Sequence, residues 1–544
     1  MWQQNYLPVA DSLGLSALAA AVPILVLLLL IGILRKPAWM AAVSGLAGAL
    51  VIALFVYQMP ADLAVRSVAM GAAFGLWPIG WIVYSAIVLY QVMLQTGKFE
   101  IIKDSIGGLT TDRRMQALLI AFAFGAFVEG AAGFGTPVAV AAGMLTGLGF
   151  SPFYAAGICL LANTAPVAFG SIGVPITTLA LTTGLPELEL SAWVGRICAP
   201  ISLFVPAYLV TVMTGKRGLM GVLPAVAVCG VLFASTQFYV SNFIGPQLTD
   251  ILAALAAIAG LVVLMKVWQP SDNFVFVGDG MSVAKGASKQ HSAGETFKAW
   301  MPYLLLVVFV LVWGTPSIKA ELHKIGTIDI PWPGLHNVVQ RMPPVTNAPA
   351  PYAATFRFDI IAAAGTSCIL AAFFSSLLLG MSPVKFVSIF FNVGKQMWKA
   401  LLTISSVLGL AYLMNYCGAT STLGLAFAAT GAVFPFFSAL LGWLGVFLTG
   451  SDTSANALFG NLQEVTATKL GFLPSLMAAA NSAGGVMGKM ISVQSIAVAA
   501  AATAMKPEDE ARLFRFTLKH SIFLASVLGL VSMFYAHVVT GRSQ

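Results

Sequence analysis

Apolar runs of roughly twenty residues follow one another from Leu13 almost to the end of the chain, separated by short segments that hold most of the lysines and arginines. A run of that length crosses the hydrocarbon core of a bilayer as a helix, because only a helix satisfies its own backbone there. Composition agrees. Only 9% of the 544 residues are charged, whereas a soluble domain carries roughly a quarter, too few to cover a water-facing surface. No separate soluble catalytic domain fits in what remains.

Crossings are expected at about 13–34, 39–57, 76–96, 153–182, 193–213, 219–239, 248–268, 300–314, 358–380, 400–416, 473–500 and 519–540. Two more apolar stretches, 116–147 and 424–460, are interrupted by Gly, Pro or hydroxyl residues and suit re-entrant hairpins better than straight spans. The first sixteen residues, MWQQNYLPVADSLGLS, hold no basic residue, so the run behind them is expected to stay as a span rather than be cleaved.

The net charge of +8 reports orientation rather than a nucleic-acid partner. If the hairpins do not cross, Arg35, Lys36, Lys98, Lys103, Arg113, Arg114, Lys216, Arg217, Lys266, Lys285, Lys289, Lys298, Lys385, Lys506, Arg512, Arg515 and Lys519 share one face. That face is cytoplasmic by the positive-inside rule, which puts both termini outside. Arg66, Lys395 and Lys399 read as interfacial positions of amphipathic stretches before the third and tenth crossings. The five cysteines lie in or beside apolar runs without metal-ligand spacing and read as core filler. No phosphate-binding loop, zinc spacing, nucleotide motif or haem motif occurs, so no cofactor, metal or enzymatic role is expected. A gradient must supply the energy for any uphill work.

Internal matches fix the architecture further. Leu148-Gly149-Phe150-Ser151-Pro152 recurs 322 positions later as Leu470-Gly471-Phe472-Leu473-Pro474, and Ala162-Asn163-Thr164-Ala165 recurs 318 later as Ala480-Asn481-Ser482-Ala483. Gly125, Phe127 and Gly130 match Gly445, Phe447 and Gly450 at an offset of 320, and Trp77, Tyr90 and Gly97 match Trp398, Tyr412 and Gly418 at 321 or 322. An ordered series at a nearly constant offset is what two related halves, 59–175 and 381–493, would leave. An odd number of crossings separates them, so the halves are expected to be inverted, a hallmark of secondary transporters that hold substrate where broken helices meet.

Few charges are left at depth. The first hairpin, GAFVEGAAGFGTPVA (125–139), places Glu129 mid-membrane, where a carboxylate must be protonated, paired or facing a wet cavity. Gly130, Gly133 and Gly135 would let the backbone reverse. The second hairpin surrounds Asp452 with Ser451, Thr453 and other hydroxyl or amide groups, with Gly450 at the turn. Asn163 and Thr164 before Pro166, and Asn481 and Ser482 before Gly484 and Gly485, set an amide and a hydroxyl ahead of a helix breaker. If both helices unwind there, free amides at the restarted helices suit a substrate carboxylate. Lys489, two turns past Ser482, could bind that carboxylate, pair with Asp452 or Glu129, or snorkel to the interface.

The strings WQQNY, GAFVEGAAGFGTPVA, YAAGICLLANTAPVAFGS, SNFIGPQL, RMPPV, LGWLGVFLTGSDTSANALF, GGVMGKMIS and FRFTLKHS resemble the bacterial L-lactate permease family over essentially the whole chain, with Glu129, Asp452 and Lys489 inside matching strings. The resemblance implies proton-coupled uptake of L-lactate, often also D-lactate and glycolate, through the cytoplasmic membrane. It further implies kinship with transporters in which a hairpin-bearing domain moves on a scaffold as an elevator.

The expected fold is therefore an all-α polytopic membrane protein of about twelve crossings plus two re-entrant hairpins. The chain would divide into N-terminal helices (1–58), a first repeat with following helices (59–268), a cytoplasmic linker (269–299), a connecting helix with an extracytoplasmic loop (300–357) and a second repeat (358–544). The partners are a small 2-hydroxymonocarboxylate, a proton and the lipid bilayer. Asn163, Thr164, Asn481, Ser482, Lys489, Ser451 and Thr453 are candidates to bind substrate, and Glu129 and Asp452 to carry the proton. Sodium coupling through ligands near Asp452 is the alternative, and a passive carboxylate channel a weaker one.

Overall fold

The structure, a computed structural model, describes residues 1–34, 36–133, 135–274 and 291–541. Arg35, Lys285 and Lys289 of the expected cytoplasmic set lie outside the described residues. Among the described residues twelve helices are long and apolar enough to cross a membrane. Their outer faces remain apolar without protein partners: Leu15, Leu18 and Leu25 on Leu13–Leu28, and Phe523, Leu530 and Phe534 on Pro507–Phe534, are exposed. Lipid tails are the solvent such faces require.

Two expected crossings are parts of longer helices. The run at 76–96 continues a helix that starts at Ala61 and reaches Gln95, bent where Trp77 takes an extended conformation ahead of Pro78. The run at 400–416 is the second half of Pro383–Cys417, which passes Lys395 and Lys399 without a break. The expected crossing at 358–380 is a 15-residue helix, Ala364–Leu378.

The chain is helical except in the segment expected to be a loop. There Thr327–Pro331 pairs antiparallel with Thr355–Asp359, and Val339–Arg341 lies between Trp2–Gln3 and Ala350–Pro351. The first residues of the chain and this loop therefore share one face of the molecule.

Both hairpins form. The first runs inward as Arg113–Ala131, every residue buried, and returns as Thr136–Gly147, which packs back on 117–124. Its ends meet where the Arg113 Nη1 donates to the Leu148 carbonyl at 2.6 Å. The second comprises Phe434–Thr449 and Asp452–Leu470, so it begins and ends about ten residues later than expected. The displacement has a local cause. A turn over Ala428–Val433, with Gly431 in the left-handed region, stops the preceding helix, and Pro435 starts the next one.

Arg113 and Arg114 are not loop charges. Arg114 is fully buried, with its guanidinium bonded to the Asp112 carboxylate at 2.7 and 3.1 Å and to Asp272 at 3.0 Å. Arg114→Met would strand Asp112 in the protein, a loss of about 3–5 kcal/mol. We expect a lower unfolding temperature in detergent, partly restored by adding Asp112→Asn; an unchanged temperature would show that the pair contributes nothing.

Each half also contains an interrupted helix. Pro152–Ala162 and Val167–Thr183 are bent by 65° at Asn163–Pro166, and Ser171, Ile172 and Gly173 then adopt left-handed conformations. In the second half the expected break after Ser482 is absent. The helix Pro474–Lys489 runs straight through Gly484 and Gly485 and stops only at Met490–Ser492, before Val493–Ala502. The reason is packing. A Cβ at Gly484 would strike the Ala439 backbone, one at Gly488 the Trp443 carbonyl, and one at Gly442 the Asn481 carbonyl. These glycines bring two helices into backbone contact, whereas Pro166 removes an N–H and forces a real interruption.

Candidate functional site

The hairpin tips and both helix interruptions converge on a cavity of about 50 Å³, lined by Glu129, Gly170, Ser171, Gly450, Ser451, Asp452, Thr453, Lys489 and Gln494 among others. Three buried charged side chains from distant parts of the chain thus meet at one point.

The fold positions each of them. Ser451 caps the second hairpin's returning helix by accepting from the Ser454 amide at 3.2 Å, which sets Asp452 in its first turn. One Asp452 oxygen, Oδ2, accepts from the Ser482 hydroxyl at 2.7 Å and from the Asn456 amide at 3.4 Å, while Oδ1 has no partner. Lys489, in the last turn of its helix, donates to the Gly450 carbonyl at 2.6 Å and lies within electrostatic reach of both Glu129 and Asp452. Glu129 is buried with Oε2 unpartnered, against Gly170, where a Cβ would come within 2.6 Å of Oε1. Only glycine at 170 leaves room for that carboxyl group.

The glycines divide by role. Gly133, Gly135 and Gly450 have φ of +62°, +82° and +71° and make the expected reversals. Gly130 does not; it is helical, and a Cβ there would meet Asp250 and Ile251. It is small so that the first hairpin can touch the helix Thr249–Val267.

Of the residues expected to hold substrate, Ser451, Thr453 and Lys489 line the cavity. Asn481 and Ser482 stand behind it. Asn481 donates to Asn456 at 3.0 Å and accepts from Gln463 at 3.1 Å, and Asn456 also donates to Ser482 and to the Pro175 carbonyl, both at 3.1 Å. This chain of amides fixes Asp452 and ties the second hairpin to the first half's interrupted helix. Asn163 lies against Glu129, yet neither of its amide atoms meets hydrogen-bond geometry. Thr164 donates to the Leu161 carbonyl within its own turn.

Gln494, which lines the cavity, and Asp250 were not among the expected site residues. Asp250 is 1% exposed, has no partner for either carboxylate oxygen, packs on Gly130 and lies within electrostatic reach of Glu129. In the sequence it follows SNFIGPQLT, a break between two apolar runs marked by Gly245 and Pro246, and reads as an acid at a helix start near the surface. The left-handed Gly245 and the turn Pro246–Leu248 carry it inward instead.

Comparison with known proteins follows the same lines. A family model described as L-lactate permease matches residues 16–539. The chain is 46% identical to an L-lactate permease of Bacillus subtilis (strain 168), over 99% of both chains. It is 44% identical to the glycolate permease GlcA of Escherichia coli (strain K12), and 44% to an L-lactate permease of that strain, again over 99% of each chain. With its hairpins, interrupted helices and buried Glu129, Asp452 and Lys489 spanning the matched region, the chain belongs to the L-lactate permease family.

Proposed function

We propose that the protein imports L-lactate, together with D-lactate and glycolate, across the bacterial cytoplasmic membrane by proton symport with alternating access. The cluster of Asp452, Glu129 and Lys489 around one small cavity carries this reading, and the permease names of full-length relatives support it.

A 2-hydroxy acid brings one carboxylate and one hydroxyl. Lys489 exchanges the Gly450 carbonyl for the substrate carboxylate, a charge-assisted contact stronger than the neutral one it replaces. Thr453, Ser451 and Gln494 face the cavity and serve the hydroxyl. The unpartnered Asp452 Oδ1 takes the coupled proton, because burial favours the neutral form of a carboxyl group and a neutral loaded site crosses apolar surroundings at lower cost. The cavity, about 50 Å³, lies between the two hairpin tips. Access on either side requires the hairpin tips to part; the offset series supports inverted repeats, the family resemblance supports an elevator, and the distribution of Lys and Arg supports termini outside.

The experiment is uptake of labelled L-lactate by proteoliposomes under an imposed pH gradient. Accumulation should follow the gradient, disappear with a protonophore and persist without Na⁺. Accumulation that requires Na⁺ at fixed pH would replace the proton by sodium, and equilibration without accumulation would make the protein a channel.

A further inference from the structure

A second cavity, about 540 Å³, opens between the two short sheets and the ends of the helices Gly170–Thr183, Pro383–Cys417 and Asp452–Leu470. It contains two arginines in opposite situations. Arg357 is neutralised by Asp329, which accepts from its Nε at 2.7 Å and Nη2 at 3.1 Å. Arg341 has no carboxylate within 4 Å among the described residues, and its Nε is buried without a hydrogen-bond partner. Its guanidinium carbon sits 4.8 Å from the centre of the Tyr352 ring, which itself stacks on Tyr416 at 4.4 Å. An arginine laid flat on an aromatic face is held in place while its N–H edge stays free for an anion. Glu464, across the cavity, is within its electrostatic reach.

The floor of this cavity touches the transport site. Thr182 lines it and donates to the Asn456 carbonyl at 3.4 Å, and the Asn456 amide group reaches Asp452. A hydrogen-bonded chain from Thr182 through Asn456 to Asp452 therefore links the lining of the large cavity to that of the small one.

We propose that the large cavity is a capture site for small carboxylate anions, in which Arg341 takes the substrate carboxylate in competition with Glu464 before it passes Thr182 and Asn456. This rests on the reading that the cargo is a small hydroxy-acid anion. The site belongs to the face that carries the sheets, so its effect should be one-sided.

The test is L-lactate transport by oriented proteoliposomes, measured separately from each face. Arg341→Gln should raise KM for entry from the sheet-bearing face about tenfold, as loss of a charge-assisted contact implies. Vmax, and KM from the opposite face, should stay within about twofold, a difference too small to reflect a lost contact of that kind. Added salt should weaken wild-type capture more than that of the variant. Arg341→Lys should recover part of the affinity, and Glu464→Gln, which removes the competing carboxylate, should lower KM. The double variant Lys324→Gln, Glu321→Gln removes an exposed ion pair that does not line the cavity and should leave KM unchanged. An unaltered KM in both Arg341→Gln and Glu464→Gln, or an equal rise from both faces, overturns the capture site while leaving the transport reading intact. Absence of lactate transport by the wild type overturns that reading and this ligand with it.

Discussion

Asp452→Asn should exchange labelled lactate for unlabelled lactate across the membrane yet fail to accumulate it. Each unit of pH gradient is worth about 1.4 kcal/mol per proton, or about tenfold accumulation, and in the variant the ratio should fall to about one. The geometry explains why exchange survives. The Ser482 hydroxyl and the Asn456 amide both donate to Oδ2, and a carboxamide oxygen accepts the same two bonds. The amide nitrogen takes the place of Oδ1, which has no partner to lose. What disappears is the ability to alternate between anion and acid, and only the coupled cycle needs it. Asp452 is a better carrier than Glu129 on the same grounds. It has donors to hold the anion and a second oxygen, against Gly485 and without a hydrogen-bond partner among the described residues, for the proton, at the start of a helix whose dipole also favours the anion. Glu129→Gln should accordingly retain part of the accumulation. If both variants accumulate lactate as the wild type does, neither carboxylate carries the proton.

Glu129, Asp452 and Lys489 could be found without coordinates because a charge inside an apolar run has few innocent explanations. Asp250 is equally buried but escaped notice. It stands at the start of an apolar helix, just behind a turn, and only the path of the chain through Gly245 and Pro246 takes it beneath the first hairpin. The glycines show a second limit. Gly133 and Gly135 reverse the backbone as expected, whereas Gly484 and Gly485 sit in an unbroken helix. A glycine that ends a helix and one that admits a close neighbour are the same letter in the sequence; the contacts of Gly484 with the Ala439 backbone and of Gly485 with Asp452 and Val446 tell them apart. A proline constrains the helix more, although Pro200, Pro206 and Pro302 lie inside helices that continue past them; beside Pro166 the interruption occurs as expected, whereas its supposed counterpart after Ser482 does not. The consequence reaches the site. Asn481 and Ser482, expected to face substrate from an unwound segment, instead point sideways from an intact helix and brace Asn456 and Asp452. The two small sheets were also out of reach, because strands of two to five residues pair across distances the local pattern does not encode.

Lys489→Gln should have the larger effect on binding. In the wild type a single ammonium lies within reach of two buried carboxyl groups and rests on the Gly450 carbonyl. Glutamine can still donate to that carbonyl, so the second hairpin's tip keeps its anchor and the protein should reach the membrane in normal amount. The cavity, however, would then hold only acidic and neutral side chains. A lactate anion entering it would gain no charge-assisted bond, a loss of about 2 kcal/mol or roughly thirty-fold in affinity. It would also meet the field of any ionised carboxylate unscreened. Both effects act on the anion and spare a neutral solute, so the variant's residual transport should shift toward the acid pH range, where more of the substrate is protonated. Arginine would be a poor replacement: Lys489→Arg keeps the charge but adds a planar group to a cavity of about 50 Å³ already lined by Glu129, Asp452, Thr453 and Gln494. The measurement is counterflow of labelled lactate as a function of external concentration and pH. A half-saturation unchanged in Lys489→Gln would assign the ammonium to the hairpin tip alone. A rise confined to higher pH would identify it as the group that receives the carboxylate, since Gly450 keeps a donor in either case.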